Sequence, residues 1–191
     1  MTLPTLRDYS EPAVTPPLSF RAPAGAPDIV EGVARTETGL AEYHFDTEWD
    51  VPAPVQQVFE VIGDSLRWPE WWRGIRSVTE LTDHEPQGIG NRRQYVFRSF
   101  LPYDLVFVMQ VMSFEEPVSL VGHATGELEG EGRWTFTATP SGTRVRYQWD
   151  VRTTRWWMNL LAPVARPVFT WNHGIVMRWG EAELRRRLGV A

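Results

Sequence analysis

One histidine near the C-terminus is the residue best placed to do chemistry. If residues from about 167 to 188 form a helix, one stripe of it at 100° per residue contains Phe169, His173, Val176, Gly180 and Leu184, flanked by Met177 and Leu188. We assign this stripe to the interior, where an imidazole acts as an acid–base group or as a polar contact to a ligand. The alternative is a core histidine whose ring nitrogens are satisfied by a hydroxyl or a carbonyl group.

Arg93 is a second candidate polar group. Its segment, RRQYVFRSF, is typical of a strand, in which Arg93 has the parity of Tyr95 and Phe97. If that face is buried, the guanidinium needs an anion, which is either a glutamate or an acidic group of a ligand. The alternative is an arginine at the edge of the sheet, in solvent.

Other reactive sites find little support in the sequence. Cysteine is absent, which removes disulfides, thiolate zinc sites and cysteine nucleophiles. The histidines lack the spacing of metal ligands; they are His44, His84, His123 and His173. The segment GELEGEG (residues 126–132) has glycines among glutamates, so we interpret it as a turn between strands and not as a phosphate cradle. We expect no metal ion and no cofactor.

Composition bounds the class of protein. The chain has 191 residues, which fits one domain with an extension. Its net charge of −5 and isoelectric point of about 5.4 argue against a nucleic-acid-binding protein. No signal-peptide pattern and no apolar run of the ~20 residues needed to span a bilayer are present, so we expect a cytoplasmic protein without a transmembrane segment.

The chain divides into a leader and a domain. Residues 1–40 are rich in proline and lack a sustained period, which predicts a disordered leader or an ordered strap. Residues 41–191 are predicted to form the ligand-binding domain. From Tyr43 the residues alternate as in a half-buried strand, and VPAPVQQVFEVIGD and SLRWPEWWRG predict two short helices.

Strands and a terminal helix follow. About six strands come in series, and the clearest hairpin turns at Pro140, Ser141 and Gly142. The remainder is helical, with a short helix over residues 155–162 that Pro163 ends or kinks, then a longer helix from about Pro167 to Leu188. This order predicts an α+β domain with the long helix on an antiparallel sheet.

Four segments carry a family resemblance. WDVPAP with its following helix, WPEWWRGI, GIGNRRQY and GRWTFTATPSGTRVRYQWDV resemble the START/polyketide cyclase/Bet v 1-like (SRPBCC) superfamily, polyketide cyclase/dehydrase type, over residues 43–188. The resemblance implies a helix-grip fold, in which a curved antiparallel sheet of about seven strands wraps around a long C-terminal helix, with two short helices after the first strand. It also implies a cavity between sheet and helix.

The predicted cavity wall combines aromatic, thioether and few polar side chains. Its candidate ligand-binding residues are Trp68, Trp72, Arg93, Tyr95, Phe107, Met109, Trp134, Tyr147, Trp149, Phe169, His173 and Met177. Ordinary core packing is the alternative for the tryptophans. A wall of this kind predicts a hydrophobic small-molecule partner, of lipid, polyketide or isoprenoid type.

Two other functions remain open. The first is a polyketide aromatase/cyclase, a lyase-type enzyme that would hold a poly-β-keto chain beside His173. The second is a docking module that uses an outer stripe of the terminal helix, formed by Val168, Trp171, Ile175 and Trp179. The leader, residues 156–158, a homodimer partner or a membrane surface would cover that stripe. The sequence leaves enzyme activity undecided.

Overall fold

The structure is a computed structural model that describes residues 42–82, 88–99 and 103–190, with backbone alone for residues 156–166. The leader and its boundary with the domain lie outside the described residues.

Seven antiparallel strands form one sheet in the order β1-β7-β6-β5-β4-β3-β2. The strands are β1 (Glu42–Val51), β2 (Ile75–Glu80), β3 (Arg92–Phe97), β4 (Leu105–Glu115), β5 (Ser119–Gly126), β6 (Leu128–Thr139) and β7 (Gly142–Thr153). Apart from β1, each strand pairs with its neighbour in sequence, and β1 pairs with β7. The predicted curved sheet and its number of strands are confirmed.

Two short helices follow β1, as predicted. Helix α1 (Val55–Gly63) begins directly after Pro54 and buries Val58, Phe59 and Ile62. A 3₁₀ turn (Ser65–Arg67) leads into α2 (Trp68–Trp71), in whose first turn Pro69 lies. That position suits proline because its missing N–H would have no partner inside the helix.

The C-terminal helix corrects one prediction. It is a single element, α3 (Trp156–Arg187), so the expected end of a short helix at Pro163 is wrong, and the alternative of a kink at Pro163 stays a prediction. Proline removes one backbone donor and disfavours a continuing helix. Here the backbone stays helical on both sides of Pro163 and Pro167, so the candidate stripe from Phe169 to Leu184 begins near the middle of a 32-residue helix.

Alternation along the strands separates an inner from an outer face. In β1, Tyr43, Trp49 and Val51 are buried, whereas the intervening His44 and Asp50 are exposed. The hairpin of β6 and β7 turns at Pro140 and Ser141 with Thr139 opposite Gly142, as predicted.

The GELEGEG segment contains the predicted turn between strands, but the turn is shorter than the segment. Only Glu127 separates β5 from β6, and Leu128–Thr139 is one continuous strand. The segment alternates as strands do, with Leu128, Gly130 and Gly132 on the inner face. The turn between β5 and β6 therefore occupies only the start of the segment, and the rest of it belongs to β6.

Helix α3 packs on the inner face of the sheet through Val176, Met177 and Leu184, all buried in the main core. Gly180 allows a close approach of α3 to the indole of Trp72, which follows α2. A Cβ at Gly180 would lie 2.7 Å from Trp72 Nε1. Within the described ranges, no helix is both long and apolar enough to cross a membrane.

Candidate functional site

An internal cavity of about 230 Å³ lies between the inner face of the sheet, residues 62–72 and α3. All twelve predicted ligand-binding side chains line it. The structure adds polar lining residues that the sequence did not indicate, among them Ser65, Ser99 and Asn172. Ser65 lies in the 3₁₀ turn, and Ser99 lies just beyond β3, so neither belongs to a periodic pattern that would have identified it.

The tryptophans offer apolar surface to the cavity because their polar groups are bonded elsewhere. Trp72 Nε1 donates to the Val176 carbonyl at 2.9 Å, and Trp68 Nε1 donates to the Ile62 carbonyl at 3.0 Å. On the opposite wall, Trp134 and Tyr147 are register partners whose rings stack at 4.0 Å. Indoles anchored in this way pack the core and also leave ring surface for a ligand.

Glycines in the sheet make room for these side chains. Gly122 and Gly132 are register partners on the inner face of β5 and β6. A Cβ at Gly132 would lie 2.7 Å from ring carbons of Trp149 and 2.9 Å from Tyr147 Oη. The Trp149 ring therefore lies against bare backbone, and this part of the cavity floor depends on glycine.

Arg93 points inward and is compensated by the protein. Its Nε donates to Glu80 Oε2 at 2.8 Å, and an Nη donates to Ser65 Oγ at 2.9 Å. Ser65 Oγ also accepts a hydrogen bond from Tyr95 Oη at 2.7 Å. Partial burial acts to raise the pKa of Glu80, but Arg93 and Thr82 outweigh it and hold that pKa below its usual value. Of the two predicted environments, the buried arginine paired with a glutamate is confirmed.

His173 lies in the cavity wall and stacks on Phe45, with ring centroids 4.0 Å apart. Its Nε2 is buried and has no hydrogen-bond partner among the described residues. Burial lowers the pKa of His173 to about 4, so the imidazole is neutral at pH 7. This is not the satisfied core histidine that we considered as the alternative. The neighbouring Asn172 Oδ1 does accept a hydrogen bond, from Ser99 Oγ at 2.5 Å.

The cavity disfavours charge. Burial raises the pKa of Tyr95, even though Ser65 accepts its hydrogen bond, and raises that of Tyr147 well above its ordinary value. The same effect keeps His173 neutral. Among the lining side chains in the described ranges, Arg93 alone carries a formal charge, and Glu80 neutralises it. The site therefore provides an uncharged, mostly aromatic environment.

The outer stripe of α3 is covered unequally. Ile175 is buried, and Trp179 is half-buried beneath the guanidinium of Arg73, which lies 4.5 Å from the ring centroid. Val168 and Trp171 are exposed, at 44% and 55%. The chain itself therefore covers the C-terminal part of the stripe. Elsewhere in the described ranges, no cluster of three or more histidine or carboxylate side chains has the arrangement of a metal site.

The fold is similar to that of several solved structures. The Zhui aromatase/cyclase from a Streptomyces species matches 77% of this chain and 93% of its own, with a TM-score of 0.62 and 13% identity. A START superfamily protein from Mycobacterium smegmatis matches 76% of this chain and 95% of its own, with a TM-score of 0.58 and 16% identity. The di-domain ARO/CYC protein StfQ of the steffimycin biosynthetic pathway matches 80% of this chain and 53% of its own, with a TM-score of 0.58 and 17% identity. At these identities the likeness concerns the fold.

Sequence comparison identifies the family. An uncharacterized protein of Mycobacterium tuberculosis is 36% identical over 77 residues, which are 40% of this chain and 44% of that protein. The chain thus matches less than half the length of this curated relative. A family profile described as polyketide cyclase/dehydrase and lipid transport matches residues 51–173, from the end of β1 to His173 in α3. Because this profile matches more than half of its length, the chain belongs to the polyketide cyclase/dehydrase and lipid transport family.

Proposed function

We propose that this chain binds one compact, largely apolar molecule in its internal cavity and carries it without chemical change. The observation that supports this most directly is the convergence of twelve predicted side chains on one space lined by aromatic and thioether groups. Apolar walls with a few placed polar groups are typical of small-molecule sites. The leader's state, a homodimer, a peripheral membrane contact and a cytoplasmic location stay predictions.

The volume of the cavity limits the ligand. It measures about 230 Å³, below the roughly 300–1,000 Å³ typical of pockets for drug-sized molecules. We therefore expect a ligand of one or two rings, or a short branched chain. A full-length poly-β-keto chain is larger than this space, which favours a small lipid-like, isoprenoid or aromatic ligand.

Aromatase/cyclase activity is the alternative function, because a similar structure carries that description. A general acid or base works best when its pKa lies near the operating pH. Burial instead lowers the pKa of His173 to about 4, and no described residue orients its ring through a hydrogen bond at Nε2. Both observations favour a binding role for His173 over proton transfer.

A cavity-filling variant tests the proposal. Leu120 lines the cavity from β5, and Leu120→Trp would place an indole in the ligand space. Thr125→Trp is the matched control, because Thr125 is exposed on the same strand with the opposite parity. We expect native mass spectrometry to detect a molecule copurifying with the wild-type and Thr125→Trp proteins, and calorimetry to detect their binding of 2-isopropylnaphthalene.

The Leu120→Trp protein should lose both properties while keeping a cooperative unfolding transition. Equal binding by the folded Leu120→Trp protein would show that ligands bind elsewhere. A change in the chemical structure of a bound ligand over time would instead support the cyclase alternative.

A further inference from the structure

We propose that the ligand is a neutral molecule whose hydroxyl or carbonyl oxygen pairs with His173 Nε2, and that the cavity selects against carboxylic acids. This inference rests on the proposed binding function and names the chemical class of its ligand.

His173 Nε2 is the group that would pair with the ligand. Nε2 of His173 is buried without a partner in the described ranges, while the stacked Phe45 ring fixes the imidazole plane. A buried polar atom without a hydrogen bond is unfavourable, so a ligand that supplies the missing partner gains affinity. A neutral imidazole nitrogen donates to a carbonyl oxygen or accepts from a hydroxyl, depending on its tautomer. Neither pairing requires charge on the ligand.

Arg93 is the cation at the cavity wall, and its charge is already compensated. Arg93 is the natural partner for an acidic ligand, but Glu80 already accepts its Nε hydrogen at 2.8 Å and Ser65 accepts another at 2.9 Å. A carboxylate entering the cavity would lose its water and meet an arginine whose charge is already neutralised. The side chains present therefore disfavour an anion.

These two polar regions are separated in the fold. His173 stacks on Phe45 of β1, which is at one edge of the sheet, whereas Arg93 lies in β3, next to the other edge. Ser99 hydrogen-bonds to Asn172, the neighbour of His173, whereas Arg93 hydrogen-bonds to Ser65. The two polar groups therefore lie near different parts of the sheet, and the rest of a ligand bonded to His173 meets mostly aromatic surface.

Three probes of equal heavy-atom count test the selectivity at pH 7.5 by calorimetric titration. They are 2-acetylnaphthalene, 2-naphthoate and 2-isopropylnaphthalene, which carry a carbonyl, a carboxylate and no polar group. We expect the wild-type protein to bind the ketone at least about 10-fold more tightly than the naphthoate, because burial of an unpaired carboxylate is strongly unfavourable. His173→Phe should weaken the ketone about 3- to 10-fold, the value of one hydrogen bond, and leave the hydrocarbon unchanged.

Two further variants separate a specific contact from a general packing effect. His173→Gln keeps a hydrogen-bonding group near the Nε2 position and should retain most of the ketone affinity. His44→Gln removes a histidine from the exposed face of β1 and should change none of the three affinities.

The remaining outcomes contradict either this inference alone or the proposed binding function as well. Naphthoate binding as tight as ketone binding, or an equal loss of ketone and hydrocarbon in His173→Phe, would overturn this inference and leave the binding function standing. If none of the three probes binds the folded wild-type protein, the proposed function fails, and this inference fails with it.

Discussion

Replacing His173 with glutamine should remove a proton-linked loss of stability. The unfolded chain binds a proton at this histidine near pH 6.5, whereas burial lowers the pKa in the folded protein to about 4. Between these two pH values the unfolded state binds more protons than the folded state. The free energy of unfolding therefore has its full value above about pH 6.5 and falls as the pH is lowered toward 4. This lowering of the pKa corresponds to about 3 kcal/mol of unfolding free energy in total, of which about 2 kcal/mol is lost between pH 7.5 and pH 5.

Urea unfolding at pH 7.5 and pH 5 measures this effect. The wild-type free energy of unfolding should fall more than that of His173→Gln, and the difference between the two falls should be about 2 kcal/mol. Comparison with the variant cancels the other titrating groups. The control, His44→Gln, removes a histidine whose side chain is 74% exposed and should behave like the wild type.

If His173→Gln lost as much stability between the two pH values as the wild type, burial would not lower the pKa of His173. His173 would then be free to take up a proton in the folded state, which means that water or a charged group reaches Nε2. That result would also weaken the argument for a neutral ligand, because a protonated imidazole attracts carboxylates.

Two further substitutions test the packing of the site. Gly180→Ala should destabilise the protein by about 1–3 kcal/mol in urea unfolding, because the new methyl group would overlap the Trp72 indole. Glu80→Gln should cost about 2 kcal/mol, since it leaves the buried Arg93 guanidinium without its anion. The control Glu129→Gln breaks an exposed ion pair with Arg152 and should cost no more than about 1 kcal/mol. Similar losses of unfolding free energy in the two variants would show that the buried ion pair contributes no more to stability than the exposed one.

Period-two alternation predicted much of the site from the sequence. The parity of Arg93, Tyr95 and Phe97 assigned the arginine to the inner face, and helical spacing assigned His173 to the cavity wall. These predictions succeeded because each depends on positions within one element. The sequence could not identify Ser65 and Asn172 as polar groups of the cavity. Their hydrogen bonds join residues 28 and 73 positions apart, which only the packing of different elements brings together.

The end predicted for a helix at Pro163 and the extent predicted for the turn at residues 126–132 differ from the structure for one reason, which is that residue type was weighed above its context. Proline predicted a break in α3, although its cost is one backbone donor and a local clash that a long packed helix withstands. Glycine predicted a turn over residues 126–132, whereas the turn between β5 and β6 is at Glu127 and the outward glutamates keep the period of a strand after it.

The same glycines explain why a chain with ten tryptophans has an internal cavity. Large inward side chains on every strand would fill the space between sheet and helix. At the centre of the sheet, however, Gly122 and Gly132 face each other on β5 and β6. The Trp149 ring lies against Gly132, and the Met109 thioether lies against Gly122, so both side chains occupy the floor of the cavity and not its centre. The volume left for a ligand therefore depends on two glycines in the sheet as much as on the aromatic residues around it.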